Sequence, residues 1–187
     1  DKYVYVNINK SFSDHTRIAY SKIEIVSDNS KIEHKLIRNL LQYFEVSENL
    51  EITSIADIPS SGTGLGSSSA FSCALINALM LFLNKTLNQK EVAELASHLE
   101  IELCKEPIGR QDQYASAFGG WNLISFQSDE VNVSRLNLDE GLISEIEKWF
   151  LLLHTGISRS ASSVLVEQQA SIKRGSIDAS LIEMKSL

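Results

Sequence analysis

The sequence predicts an α+β fold, with helices packed on a mixed or largely antiparallel sheet, and three observations point there. Positions 3 to 26 are rich in strand formers, later stretches carry apolar residues at helical spacing, and the two kinds interleave with no internal repeat or low-complexity linker.

Tyr3, Val4, Tyr5, Val6 and Ile8 favour strand, and Arg17 to Ile25 continue with partial alternation, so residues 3–26 read as antiparallel strands. Ile32, Leu36, Leu40 and Phe44, spaced four apart, predict a helix over 31–44. Strand chemistry returns at Leu50 to Ile55, a glycine-serine loop follows, and from Ser67 a nearly all-apolar helix begins. Asn88 with Glu91 three residues on is a capping box for the next helix, whose core face is Val92, Leu95, Ala96, Leu99 and Leu103, until Pro107 and Gly109 break it. A short segment at Asp112 to Ala117 leads through Gly119-Gly120 to expected strands at Trp121 to Phe126, near Val131, and at Trp149 to His154. The tail from Ser158 has helical composition.

The 187 residues carry 17 Lys and Arg against 24 Asp and Glu, a formal charge of −7. An acidic chain argues against nucleic acid as a partner, since affinity for a phosphate backbone comes from clustered Lys and Arg. With 43% hydrophobic and 22% charged residues, the chain has a globular composition and enough apolar material for a core. Ala70 to Leu83 is too short and too interrupted, by Ser72 and Asn77, to span a membrane. Cys73 and Cys104 have no partner at short spacing, and the first residues lack a signal-peptide pattern, so a cytoplasmic protein is expected.

Two segments carry chemistry. In Pro59 to Ala70, between strand and helix, glycines at 62, 64 and 66 can take positive φ and present backbone N–H groups beside the positive end of a helix, a place suited to phosphate. Ser67 and Ser68 can cap the helix or offer a hydroxyl to a metal ion. A Walker A loop is excluded by the missing lysine, a Rossmann fingerprint by Ser69 in its third glycine position, and an esterase elbow by the absence of flanking glycines. The plain alternative is a glycine turn with a serine cap. The second segment, Gly109 to Ala117, places Asp112 where it can accept a hydroxyl proton and Arg110 where it can offset phosphate charge; alternatively Asp112 caps a short helix.

Pro59 to Ala70, with Gly64-Leu65-Gly66-Ser67-Ser68, resembles the P-x-x-x-G-L-G-S-S signature of the GHMP small-molecule kinases, which include galactokinase, homoserine kinase and mevalonate kinase. Asp112-Gln113-Tyr114-Ala115-Ser116-Ala117 is similar to a galactokinase run whose aspartate is the proposed base. The resemblance covers most of residues 1–170 and is closest to the family's heptose 7-phosphate kinases, through Tyr3 to Asn9, Arg17 to Val26, Gly109 to Asn122 and Thr155 to Ala161.

It implies a GHMP-kinase-like (ribosomal protein S5 domain 2-like) fold, with residues 1–150 as the N-terminal ATP-binding domain and 151–187 as the truncated start of a C-terminal domain. It further implies ATP and Mg²⁺ as cofactors, a small sugar phosphate as substrate, and a homodimer as one assembly open to the chain. Carried over by residue, Pro59, Gly62, Gly64, Leu65, Gly66, Ser67, Ser68 and Ser69 hold ATP and Asp112 is the base. Ser68 binds Mg²⁺ with a glutamate of the preceding helix, Glu100 by the family's spacing with Glu102 as the alternative, and an ideal helical wheel does not choose between them. Arg110 and Arg159 are the expected grips on a substrate phosphate, Arg159 having a surface arginine of a helix's first turn as its alternative reading. Galactokinase and fucokinase types, or a non-catalytic binding relative, are the competing readings. The family's first signature and its C-terminal glycine-rich one are missing from the sequence, so the chain reads as a fragment.

Overall fold

The computed structural model describes residues 2–57, 64–127, 130–151, 153, 161–175, 180 and 182–184. A four-stranded sheet is built from β1 (Val4–Lys10), β2 (Thr16–Ala19), β3 (Ile23–Val26) and β4 (Leu50–Ala56), in the spatial order β1-β4-β2-β3. β1 runs antiparallel to β4, β2 parallel to β4, and β3 antiparallel to β2, so the sheet is mixed. Residues 3–26 therefore do not form one antiparallel run, because β4 inserts between β1 and β2.

Buried polar groups pin that insertion. Thr16, fully buried, accepts from the Leu50 amide through its hydroxyl at 3.1 Å and donates to Asn29 Oδ1 at 2.7 Å. Asn29 in turn donates to the carbonyls of Val46 and Glu48, and the Ser11 amide donates to Asn49 O. A parallel pair needs a helical crossover, and α1 (Lys35–Tyr43) supplies it between β3 and β4. Its buried face is Ile37, Leu40 and Leu41 rather than the stripe expected from Ile32. The helix starts only at Lys35, so Ile32 enters the core from the end of a 3-10 turn at Asn29–Lys31, and Leu36 and Phe44 stay half-buried.

α2 (Ser67–Phe82) lies against β1 and carries Leu75, Ile76, Leu79 and Met80 into the core with Ile18, Leu50 and Ile52 of the sheet. α3 (Gln89–Ser97) begins with the expected capping box: the Glu91 amide donates to Asn88 Oδ1 at 3.0 Å and the Asn88 amide to Glu91 Oε2 at 2.7 Å. It runs on into a π-helical turn, His98–Leu103. α4 (Gln111–Phe118) packs on α2 and α3, followed by the hairpin β5 (Asn122–Phe126) and β6 (Val131–Arg135). Cys73 and Cys104 are both buried and free, and burial pushes the Cys73 thiol up to about 12.

The strand expected at Trp149 to His154 is not seen. Trp149 ends α5 (Glu140–Trp149), whose N-cap Asp139 accepts from the Leu142 amide at 2.9 Å, and residues 150, 151 and 153 have no regular structure. Leu142, Ile143, Ile146 and Trp149 recur at helical spacing behind a capping aspartate, which outweighs the strand preference of the run's aromatic start. Residues 152 and 154 lie outside the described residues. α6 (Ala161–Lys173) meets the expectation of a helical tail. Among the described residues no helix is long and apolar enough to cross a membrane.

One buried network makes the fold acid-sensitive. Glu24 accepts from Tyr20 Oη at 2.8 Å and from the amides of Glu33 at 2.6 Å and His34 at 3.2 Å. Burial opposes its ionisation, but those hydrogen bonds outweigh burial and hold the carboxyl below its ordinary 4.5. His34, packed between Tyr20 and Phe71, is held below its ordinary 6.5 by burial, against the pull of Glu24. Both folded-state values are depressed, so each group's contribution is full above its unfolded value and is lost as pH falls through the folded one. Urea denaturation is expected to show stability falling below pH 6.5 and again below 4.5. Glu24→Gln should cost about 1–3 kcal/mol at pH 7 and flatten the lower step; an unchanged midpoint at pH 7 would show that the network contributes nothing.

Candidate active site

The loop after β4 is described from Gly64 onward; Pro59 and Gly62 lie outside the described residues, as do Ser60, Ser61 and Thr63 of the same motif. Gly64 and Gly66 have φ of +67° and +69°, left-handed values that an L side chain adopts only with strain. Gly66 is the N-cap of α2, and the Ala70 amide closes the first helical turn onto its carbonyl at 3.0 Å. The N–H groups of that first turn have no intrahelical acceptor, so the end of α2 presents donors and the positive end of its dipole. Leu65 and Ser68 are exposed, Gly66 and Ser67 half-buried, and Ser69 buried.

α4 brings its carboxylate to this loop. Asp112 is in the first turn of α4, and a Cβ placed on Gly66 would lie 3.7 Å from Asp112 Oδ2. The two chemistry-bearing segments, far apart in sequence, thus meet, and glycine at 66 leaves the space between them open.

Behind them sits Glu100, 1% exposed, on the π-helical turn. Its Oε1 accepts from Ser72 Oγ at 2.5 Å, and its Oε2 from Ser69 Oγ at 3.1 Å and Gln113 Nε2 at 2.6 Å. Burial raises its pKa, the three hydrogen bonds oppose the rise, and the charge of Asp112 adds to it. The structure separates the two candidate glutamates: Glu100 points among the serines of α2, while Glu102 is exposed, 3.9 Å from Lys105 Nζ. Of the loop motif's serines, the one that meets Glu100 is Ser69; Ser68 stands one position earlier, its carbonyl accepting from Ser72 Oγ.

Arg110, the N-cap of α4, lines a different cleft of about 230 Å³ with Glu94, Ser97, His98, Ile101, Glu102 and Tyr114, and Asp112 is not part of its wall. Arg159 and His154 lie outside the described residues. Two residues of the site had no role assigned from sequence, Ser72 and Gln113. A serine kept within the apolar run of α2 was the available sign for Ser72, and adjacency to Asp112 the sign for Gln113.

Residues 31–120 match the family described as GHMP kinases N terminal domain. The chain is 32% identical over 149 residues to D-glycero-alpha-D-manno-heptose 7-phosphate kinase of Campylobacter jejuni, covering 78% of this chain and 44% of that protein. It is 29% identical over 129 residues to an L-fucokinase/L-fucose-1-P guanylyltransferase of Bacteroides fragilis, covering 67% of this chain and 13% of that protein. Among solved structures, a D-glycero-D-manno-heptose 1-phosphate kinase from Bacteroides thetaiotaomicron superposes with a TM-score of 0.67 at 25% identity, covering 77% of this chain and 51% of that one. The chain thus spans about half the length of the heptose kinases it resembles. Its fold is the mixed α+β fold of that N-terminal domain.

Proposed function

With a GHMP kinase N-terminal domain at residues 31–120 as the premise, we propose that the protein is an ATP-dependent sugar kinase that phosphorylates the anomeric hydroxyl of D-glycero-D-manno-heptose 7-phosphate. The observation that carries the reading is the approach of Asp112 to Gly66, which sets a carboxylate against a loop built to hold phosphate.

Phosphoryl transfer asks little covalent work of a protein beyond positioning and charge compensation. Gly64, Gly66 and the first amides of α2 face the nucleotide phosphates, and Asp112 takes the proton of the attacking hydroxyl as the hydroxyl oxygen bonds to the γ-phosphorus and the bond to the β-phosphate oxygen breaks, releasing ADP. Mg²⁺ fits the residues present: the donors are hard oxygens, and the burial and negative neighbour that disfavour an ionised Glu100 are what a cation would offset. Among the described residues no group of three His, Cys, Asp or Glu could hold a metal by itself, so phosphate oxygens would complete the shell, a common arrangement for this ion. Glu100 and the hydroxyls of Ser68 or Ser69 would hold it; when bound, it supplies charge neutralisation between phosphates. Arg159 or Arg110 is assigned to the phosphate of the sugar. In this reading residues 151–187 begin a second domain, and the enzyme acts in the cytoplasm.

A coupled assay of ATP consumption by the intact protein tests this, with heptose 7-phosphate, galactose, fucose and no sugar as separate arms. Heptose 7-phosphate is expected to give the highest kcat/KM. Preference for free galactose or fucose would overturn the heptose assignment alone, and absence of sugar-dependent turnover in every arm would overturn the kinase reading.

A further inference from the structure

Both oxygens of Glu100 are engaged, and two of the three donors belong to neither the loop nor the base. Ser72, fully buried, donates to Oε1 from the second turn of α2, and Gln113, fully buried, donates to Oε2 from the position after Asp112. The π-helical turn brings the carboxylate to them: the Cys104 amide bonds to Leu99 O and the Glu106 amide to Glu100 O, wider closures than an α-helix makes. The other end of the Gln113 amide, Oε1, is buried and meets no hydrogen-bond donor among the described residues. A buried acceptor left open on the amide that holds Glu100 complements a species that only donates, and the water shell of a small divalent cation is one.

We propose that Gln113 and Ser72 are positioning residues that clamp the Glu100 carboxylate from opposite sides and so set the affinity of the site for a hydrated divalent cation. The inference rests on the kinase reading above and deepens it. A free carboxylate would rotate among several orientations; two fixed donors leave one, and with Ser69 also bound to Oε2 the one lone-pair site still open, on Oε1, is directed at a single place. Partners of this kind typically change metal affinity about 10- to 100-fold when removed.

The test titrates the intact protein with Mn²⁺, followed by electron paramagnetic resonance, with and without the β,γ-imido analogue of ATP. Gln113→Met keeps an unbranched side chain of similar length and removes the amide. It is expected to weaken Mn²⁺ binding in the presence of the analogue about 10- to 100-fold. Kinetically, the Mg²⁺ concentration for half-maximal rate should rise while kcat at saturating Mg²⁺ stays near wild type, a split that a distorted fold would not give. Ser72→Ala should act in the same direction and serves if the Gln113 variant does not fold. Wild-type cation affinity in a folded variant of either residue would overturn the clamp. A wild-type protein that binds the analogue but no Mn²⁺ would overturn the cation site itself, and one that binds neither would overturn the kinase reading.

Discussion

Asp112→Asn is expected to lower kcat by about 10²-fold or more while ATP affinity stays close to that of the wild type. The asparagine keeps the size and the helix position of the aspartate, so packing against Gly66 is preserved, but an amide cannot take the proton of an attacking hydroxyl. Loss of a negative group next to the phosphates would, if anything, ease nucleotide binding. Calorimetry with a non-hydrolysable nucleotide and steady-state kinetics on the intact protein together read the outcome. Near-normal turnover would remove Asp112 as the base, whereas equal losses in kcat and nucleotide affinity would make it a structural residue of the loop.

The variant also separates Asp112 from Glu100. Both are acids beside the same loop, but Glu100 is enclosed by three donors and Asp112 is exposed. An enclosed carboxylate suits a fixed charge that holds a cation; one in contact with solvent and substrate suits proton transfer and release. In the proposed reading, different work thus falls to two identical functional groups twelve positions apart.

What could be read from sequence was what depends on neighbours along the chain. Positive φ at Gly64 and Gly66 and the capping box of Asn88 and Glu91 are local, and the structure has them where the residues put them. The family's spacing alone puts Glu100 ahead of Glu102; the helical wheel cannot separate them, because it assumes α geometry and the chain makes a π turn there, changing the direction of each side chain after His98. Insertion of β4 between β1 and β2 was hidden for another reason: it depends on Thr16, Asn29 and Leu50 meeting across long sequence separations, and a buried threonine looks like any other strand residue. α5 was missed because Gly141 in its first turn disguises a helix that Asp139 caps. Gln113 reads as the polar side of a short helix until Glu100 is seen to face it.

The second large effect is expected at Gly66, and Gly64 serves as its control. Both glycines have nearly the same left-handed φ, so a valine at either carries similar backbone strain, at least about 1–2 kcal/mol. Their surroundings differ. A Cβ at Gly64 would meet nothing within 4 Å, whereas a Cβ at Gly66 would already touch Asp112, leaving less room for the added methyls of valine beside the carboxylate that the proposed reading makes the base. Gly64→Val should therefore act through the loop, weakening ATP far more than sugar binding, with a modest effect on kcat at saturating nucleotide. Gly66→Val should lose about 10²-fold or more in kcat even at saturating ATP, since displacement of a reacting group by about 1 Å is enough for that. Thermal unfolding of the two variants, expected to shift alike, removes stability as the explanation. If Gly66→Val and Gly64→Val prove kinetically indistinguishable, the contact between Gly66 and Asp112 plays no part in the reaction, and the loop serves the nucleotide alone.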